Sequence, residues 1–353
     1  MPNPTIVVDG PDRFRIDDVH VPPPASGEVR VALDSAGICG GDISHLRGRN
    51  AVASYPTTLG HECAARVEAA GPDATLRVGQ PVMVYPTIGC GTCRACRDGR
   101  FNNCPQMRVL GLSDPRGCFS ERFLVPESQC IPIPEAVLDQ FGALVEPLAV
   151  GVHVVRRGAT RAGETALVIG TGAIGLATAL VARHEGVRVL GADRHPERAA
   201  AARDCGLSDF TTAAGADLEH WVRARTDSLD LVYDTVCSPA TIDLGIRLLA
   251  PGGRLVAIAS AKPGHTAAID YQAFYARELA FVACRNYVPD DFRRAAALLE
   301  SGSVDPTPLH TATFALDEFD KALAALETDG HRHIKVLLTP RDRLGSRRLL
   351  SAT

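Results

Sequence analysis

Within a short stretch the chain places four cysteines, as Cys90-Gly-Thr-Cys93-Arg-Ala-Cys96 followed by Cys104. Four thiols at this spacing leave one economical fold for the loop, wrapped around a metal. Zn²⁺ takes four soft ligands tetrahedrally, and a structural site of this kind is closed. Gly89, Gly91 and Gly99 permit the tight backbone that such wrapping needs. A pair of disulfides or a chance cluster is the bland alternative, and an iron–sulfur cluster also uses four cysteines. Neither Cys-x-x-Cys is followed by His, so haem attachment is not indicated.

A chain of 353 residues is expected to form two domains. Its 46% apolar and 22% charged residues are an ordinary globular balance. A net charge of −4 implies no nucleic-acid partner. No uninterrupted apolar run reaches the roughly 18–20 residues that span a bilayer, so no membrane partner is expected. The start, MPNPTIVVDGPDRF, lacks the basic and apolar regions of a signal peptide. The expected location is the cytoplasm, where eleven cysteines stay reduced and metal binding is the better reading than disulfides.

A four-cysteine lobe in the first third of a chain this long resembles the zinc-dependent medium-chain dehydrogenase/reductases, which include alcohol, polyol and threonine dehydrogenases. The resemblance runs from about residue 5 to about residue 339. It implies an α/β fold, with a GroES-like β-rich catalytic domain and a doubly wound Rossmann domain. The catalytic domain is expected over 1–150 and 285–339, the nucleotide domain over 151–284, and a mobile tail over 340–353. It also implies two zinc ions per chain, the one in the cysteine lobe being structural.

The residues around the second ion are read against the family pattern. EVRVALDSAGIC reads as a strand with Val29, Val31 and Leu33 on one face. It ends at Cys39-Gly40-Gly41-Asp42, which is similar to the family's Cys-Gly-Ser/Thr-Asp, whose cysteine ligates the catalytic zinc. Gly41 departs from the family, which has a hydroxyl there to bond the substrate oxygen and begin a proton relay. The family also often has a histidine where this chain has Ser44, and His45 follows. Ser44 or His45 can substitute in the relay, or the proton can pass directly to solvent. Gly60-His61-Glu62 resembles the second zinc element, with His61 a ligand and Glu62 a ligand or an exchanging group. Glu146-Pro147-Leu148-Ala149 resembles the EPLA motif of the polyol and sugar branch, where the glutamate ligates zinc or stands directly behind the ligands. A carboxylate in that apolar setting is otherwise costly, unless it simply faces a helix N-terminus. Cys63, Cys118 and Cys130 have no partners at ligand spacing and are expected to pack in the core.

From residue 151 the pattern changes. An apolar strand, Gly170-x-Gly172-Ala173-Ile174-Gly175 and an apolar helix form the dinucleotide fingerprint. Its glycines serve the turn, the approach to pyrophosphate and helix packing. The next strand ends at Asp193, where an acidic residue accepts from ribose hydroxyls and favours NAD over NADP, although Arg194 follows directly. Val236 and Cys237 end a later strand at the carboxyl edge, where nucleotide ligands bind. Arg285 and Asn286 fall at the return to the catalytic domain, and Arg285 is either a substrate contact or a solvent-facing cation.

The implied reaction oxidises a secondary alcohol of a polyol or sugar acid to the ketone by hydride transfer to NAD. A cyclitol or aminocyclitol substrate is the alternative, and threonine the next. A non-catalytic NAD-binding descendant and a zinc-free reductase are the readings from other classes. Family members are dimers or tetramers, so a homodimer or homotetramer is expected, with an edge strand near 281–289 as a plausible interface.

Overall fold

A computed structural model describes residues 2–50, 52–259 and 264–347, with backbone only at 346 and 347. The chain separates into two compact units. One comprises residues 1–146, 288–302 and 310–353, and the other residues 147–287 and 303–309.

The first unit is built on a seven-stranded sheet. Its strands run in the order Cys130–Pro132, Pro81–Val84, Glu62–Ala70, Glu28–Gly37, Lys335–Thr339, His310–Ala315, and Arg122–Pro126 also pairs with Glu28–Gly37. The expected alternation holds at the start of the central strand, where Val29, Val31 and Leu33 are at most 1% exposed. Beyond Leu33 the alternation stops and both faces are buried, through Asp34, Ser35, Ala36 and Gly37. A sheet covered on both faces removes the polar side of the pattern. Cys63, Cys118 and Cys130 lie in the apolar core of this unit with Val31, Phe119 and Phe319. Burial pushes the Cys118 thiol well above its ordinary range.

Register decides what meets what. Gly37 pairs with Glu62 and Ala36 with Cys63 in one direction, while Gly37 pairs with Leu337 and Ala36 with Leu338 in the other. The strand ends that carry Cys39, Glu62 and Lys335 therefore converge at one end of the sheet.

The second unit is a six-stranded, all-parallel sheet. Its order is Asp209–Thr211, Arg188–Ala192, Thr165–Ile169, Leu231–Asp234, Arg254–Ala257, Ala280–Ala283. Apolar runs such as TALVI and LVYD suit strands buried on both faces. The strand Ala280–Ala283 is an edge, and Phe281 on it is 39% exposed.

Helical residues Glu135–Arg157 are long and apolar enough to cross a bilayer, but 78% of the best window is buried inside the protein. Polar residues interrupt it, so it holds no uninterrupted apolar run of that length. Arg341–Arg343 and Leu344–Arg347 form a 3₁₀ turn and a short helix, where a mobile tail was expected. Arg343 anchors them by donating to Asp34 at 2.7 Å, a carboxylate only 5% exposed. Residues 348–353 lie outside the described part.

Candidate active site and metal centres

The cysteine lobe closes on itself. The sulfurs of Cys90, Cys93, Cys96 and Cys104 all lie within 4.8 Å of one another. Cys90 and Cys96 are 4.0 Å apart, close to the roughly 3.8 Å edge of a tetrahedron with Zn–S bonds of about 2.3 Å. Backbone amides point at the sulfurs: Cys93 N–H donates to Cys90 Sγ at 3.4 Å, Cys96 N–H to Cys93 Sγ at 3.4 Å and Cys90 N–H to Cys104 Sγ at 3.3 Å. Such amides stabilise thiolates. A Thr92 hydroxyl and neighbouring amides pull the Cys90 thiol down to about 6, while burial pushes Cys96 up to about 12. The lobe needs bare backbone at Gly89, where a Cβ would lie 2.6 Å from Cys96 Sγ. No disulfide occurs among the described residues, because all eleven cysteines are free. The four thiols fit a single tetrahedral ion.

The second cluster is Cys39, His61 and Glu62, whose ligand atoms also lie within 4.8 Å of one another. A thiol, an imidazole and a carboxylate are a competent donor set for Zn²⁺. Cys39 stands at the N-cap of the helix Gly40–Leu46, where the Asp42 carboxylate accepts from Cys39 N–H at 2.9 Å. The other Asp42 oxygen accepts from Gly60 N–H at 3.1 Å and lies 3.3 Å from His61 Nδ1. One buried carboxylate thus ties the cysteine loop to the histidine loop and leaves His61 Nε2 for an ion. Burial opposes charge on His61, but the Asp42 carboxylate and the Cys39 sulfur outweigh it and raise its pKa well above the usual value. Gly60 holds φ +94°, and a Cβ there would lie 2.4 Å from the Phe119 ring.

Asp42 sits in the motif Cys-Gly-x-Asp, yet its partners lie across a loop and only the fold reveals them. Lys335 was also missed. Its Nζ donates to Glu62 at 2.8 and 2.6 Å, with both side chains buried. The signal was a lone lysine inside the apolar strand sequence KVLLT.

Glu146 is 5% exposed in the first turn of the helix Val145–Arg157. It is not part of the three-residue cluster, although its charge reaches Lys335. Ser44 is exposed, whereas His45 is fully buried with its ring 5.4 Å edge-on from that of Tyr55. Burial lowers the His45 pKa. Gly41 has room for a side chain: a Cβ would meet Leu112 at 3.6 Å and Cys39 Sγ at 3.7 Å, ordinary contacts.

In the nucleotide unit, Gly170 has φ +89° and a Cβ on it would lie 2.3 Å from Thr235 Oγ1. A Cβ on Gly175 would lie 1.9 Å from Gly170 O, while one on Gly172 would meet nothing within 4 Å. The helix Ala173–His184 begins with no side-chain cap, so the amides of Ala173, Ile174 and Gly175 are available to an anion. That bare, positive cradle fits a pyrophosphate. Asp193 accepts from Thr171 N–H at 2.7 Å, from the Thr171 hydroxyl at 3.2 Å and from His195 N–H at 3.1 Å. A carboxylate has about four acceptor positions, so Asp193 first clamps the glycine loop and has one position left for a ribose. Arg194 is exposed and donates to His195 Nε2 at 2.9 Å. Val236 is 50% exposed beside the loop, whereas Cys237 is buried at φ +50° with its thiol donating to Asp234 O at 3.0 Å. Cys237 therefore shapes the strand end from within. Arg285 is exposed and Asn286 holds φ +50°.

Comparison with known proteins agrees with this geometry. Residues 25–135 match the alcohol dehydrogenase GroES-like domain and residues 173–301 the zinc-binding dehydrogenase model. The chain is 32% identical to the starvation-sensing protein RspB of Escherichia coli K12, over 95% of this chain and 98% of that protein. It is 33% identical to L-galactonate-5-dehydrogenase of the same organism, over 81% and 84% of the two chains. A crystal structure of an RspB from E. coli CFT073, described as an alcohol dehydrogenase complexed with cofactor NADH, superposes with a TM-score of 0.89 at 31% identity, covering 96% of this chain and 100% of that one. The chain belongs to the zinc-binding alcohol dehydrogenase family, with a GroES-like domain and a Rossmann-type nucleotide domain, and is an oxidoreductase.

Proposed function

We propose that this enzyme interconverts a secondary alcohol of a polyol or sugar acid and the corresponding ketone, with NAD as hydride carrier. The observation that carries the reading is the Cys39, His61, Glu62 cluster, a three-residue donor set held by Asp42 at the end of the sheet. Similarity to L-galactonate-5-dehydrogenase and to a sorbitol dehydrogenase of Arabidopsis thaliana, 30% identical over 93% of this chain, supports the substrate class. The NADH-bound relative and the clamped acidic Asp193 support NAD.

When bound, zinc supplies a Lewis acid for the alcohol oxygen and NAD accepts the hydride. The chain does the rest. Cys39, His61 and Glu62 would hold the ion, with the buried Glu146 carboxylate as a further candidate. Asp42 orients His61, and the amides of Ala173, Ile174 and Gly175 receive the pyrophosphate. Gly41 offers no hydroxyl and His45 is buried away from water, which leaves the exposed Ser44 hydroxyl or solvent itself to take the proton. The lobe of Cys90, Cys93, Cys96 and Cys104 would hold a second, structural zinc. A cytoplasmic homodimer or homotetramer is part of the same proposal, and the exposed edge strand Ala280–Ala283 suits a subunit contact.

Metal content per chain tests the reading first, on protein prepared without chelator, followed by an NAD-linked screen of polyols, sugar acids and cyclitols. Two zincs and turnover of a polyol or sugar acid are expected. One zinc with no turnover on any of these would overturn it. Cys39→Ser should lose one zinc and activity while the fold survives.

A further inference from the structure

We propose that the first unit carries an accessory site for a small hydroxy-carboxylate, built by Arg30 and Arg122 beside Glu68 and remote from the Cys39 cluster. The site is a pocket of about 420 Å³ lined by Asn3, Asp18, Arg30, Glu68 and Arg122, with residues 19–21 completing it. Small-molecule sites run from roughly 300 to 1,000 Å³, so this one suits a small metabolite. Arg30 stands seven residues before Gly37 on the strand Glu28–Gly37, about 23 Å along it at ~3.3 Å per residue. The inference therefore stands apart from the reading of the metal site.

Local structure places the three charged groups. Val29 and Val31 are buried in the core, so Arg30 between them points to the other face of the sheet. Arg30 pairs with Leu124 and Ala32 with Arg122, which makes the two arginines diagonal neighbours on that face. The register with Glu62–Ala70 breaks at the same point: Arg30 is opposite Ala69 and Val31 opposite Val67. Glu68 is the extra residue of this bulge, and bulges re-aim a side chain. Its two oxygens accept from Arg30 Nε at 2.7 Å and from Arg122 Nε at 2.8 Å. Burial opposes charge on Glu68, but the bonds from Arg122 and Arg30 prevail and lower its pKa.

Each guanidinium is pinned through Nε, which leaves terminal N–H groups to spend. Arg122 Nη1 donates to Pro2 O at 3.2 Å and to Glu121 at 3.4 Å. Among the described residues, Nη2 of Arg122 and both terminal nitrogens of Arg30 have no partner. Guanidinium forks match the geometry of a carboxylate. Asn3, 4% exposed, ties the lining together. Its N–H donates to Asp18 Oδ1 at 2.6 Å, its side-chain oxygen accepts from Arg122 N–H at 2.7 Å and its amide donates to Val19 O at 2.9 Å. Asp18 keeps its other oxygen to accept from a hydroxyl. With His20 neutral, Arg30 and Arg122 balance Glu68 and Asp18. Asp18 repels a phosphate dianion more than a monoanion, so a single carboxylate with a hydroxyl beside it fits both the forks and the acceptor.

The test is calorimetric titration of the full-length protein with D-gluconate, and with acetate, sorbitol and inorganic phosphate as comparators. Gluconate should bind, and each comparator should bind at least about tenfold more weakly, because a hydrogen bond to a charged group contributes that much. Arg30→Gln should weaken gluconate by a similar factor while metal content stays at the wild-type value. Cys39→Ser should leave this binding intact. Where gluconate also occupies the Cys39 site, a stoichiometry of two should fall to one in either variant. No binding to wild type up to about 10 mM, or undiminished binding to Arg30→Gln, overturns the inference. Phosphate binding as tightly as gluconate overturns the ligand class. Binding lost in Cys39→Ser and kept in Arg30→Gln places gluconate at the metal cluster, which overturns the accessory site and leaves the reading of that cluster standing. Should Arg30→Gln fail to fold, Arg30→Lys decides: it keeps a cation for Glu68 but presents no fork, so unchanged gluconate affinity overturns the inference and a loss supports it.

Discussion

Asp42 Oδ1 lies 3.3 Å from His61 Nδ1 while its other oxygen accepts from the amide of Cys39 at 2.9 Å, so one fully buried carboxylate positions two candidate ligands from separate loops. Asparagine has the same shape but only one acceptor oxygen. Asp42→Asn should therefore cost about 10–100-fold in metal affinity or turnover. Zinc retention during dialysis and kcat measure it, and a variant that keeps both would remove Asp42 from the site.

The cysteine lobe makes a different prediction. Cys93 Sγ caps the short helix Arg94–Arg97 by accepting from Cys96 N–H. Metal binding and folding are coupled in such loops. Cys93→Ser should lower the melting temperature, and a chelator should lower that of wild type toward the variant's. Equal melting curves with and without chelator would argue against a structural ion.

Gly41→Ser should fold normally, because its Cβ meets only ordinary contacts at 3.6 and 3.7 Å. Serine is also the better helix residue than glycine, by a few tenths of a kcal/mol. The added hydroxyl stands beside Cys39 and should raise kcat for alcohol oxidation. A melting temperature and kcat both equal to wild type would show that the proton leaves by another route.

Gly175→Ala should be poorly tolerated despite adding one methyl group. Its Cβ would lie 1.9 Å from Gly170 O, a backbone atom that cannot turn aside. Overpacking of this kind costs about 1–3 kcal/mol. Urea unfolding reads the cost, and titration with NADH reads the accompanying loss of affinity.

Acid should act through Asp114, which is 1% exposed and accepts from Arg108 at 2.9 Å and Arg116 at 2.9 Å. Burial alone would raise its pKa, but the Arg116 and Arg108 contacts prevail and lower it. A lowered carboxylate pKa stabilises above the unfolded value of about 3.9, and that contribution disappears as pH falls through the folded value. Asp114→Asn should cost about 1–3 kcal/mol near neutrality, and the two proteins should converge in stability below pH ~4. Urea midpoints across that range check it.

The sequence by itself determined whatever lies within a few residues of chain. The cysteine lobe, the glycine fingerprint with Asp193 and the parallel nucleotide sheet are local patterns, because short loops and strand–turn–helix units carry their own geometry. Cys39, His61 and Glu62 were legible through short motifs and a family resemblance. Only the tertiary structure decided what those motifs face. Lys335 and Glu62 are 273 residues apart, and no local pattern announces their bond. It exists because two strands pair with Glu28–Gly37 in registers set by burial on both faces. Ser44 and His45 were equal candidates in the sequence, and the helix Gly40–Leu46 separated them by turning one to solvent and the other into the core. Side-chain direction follows helical phase and packing, which a list of neighbours along the chain does not contain.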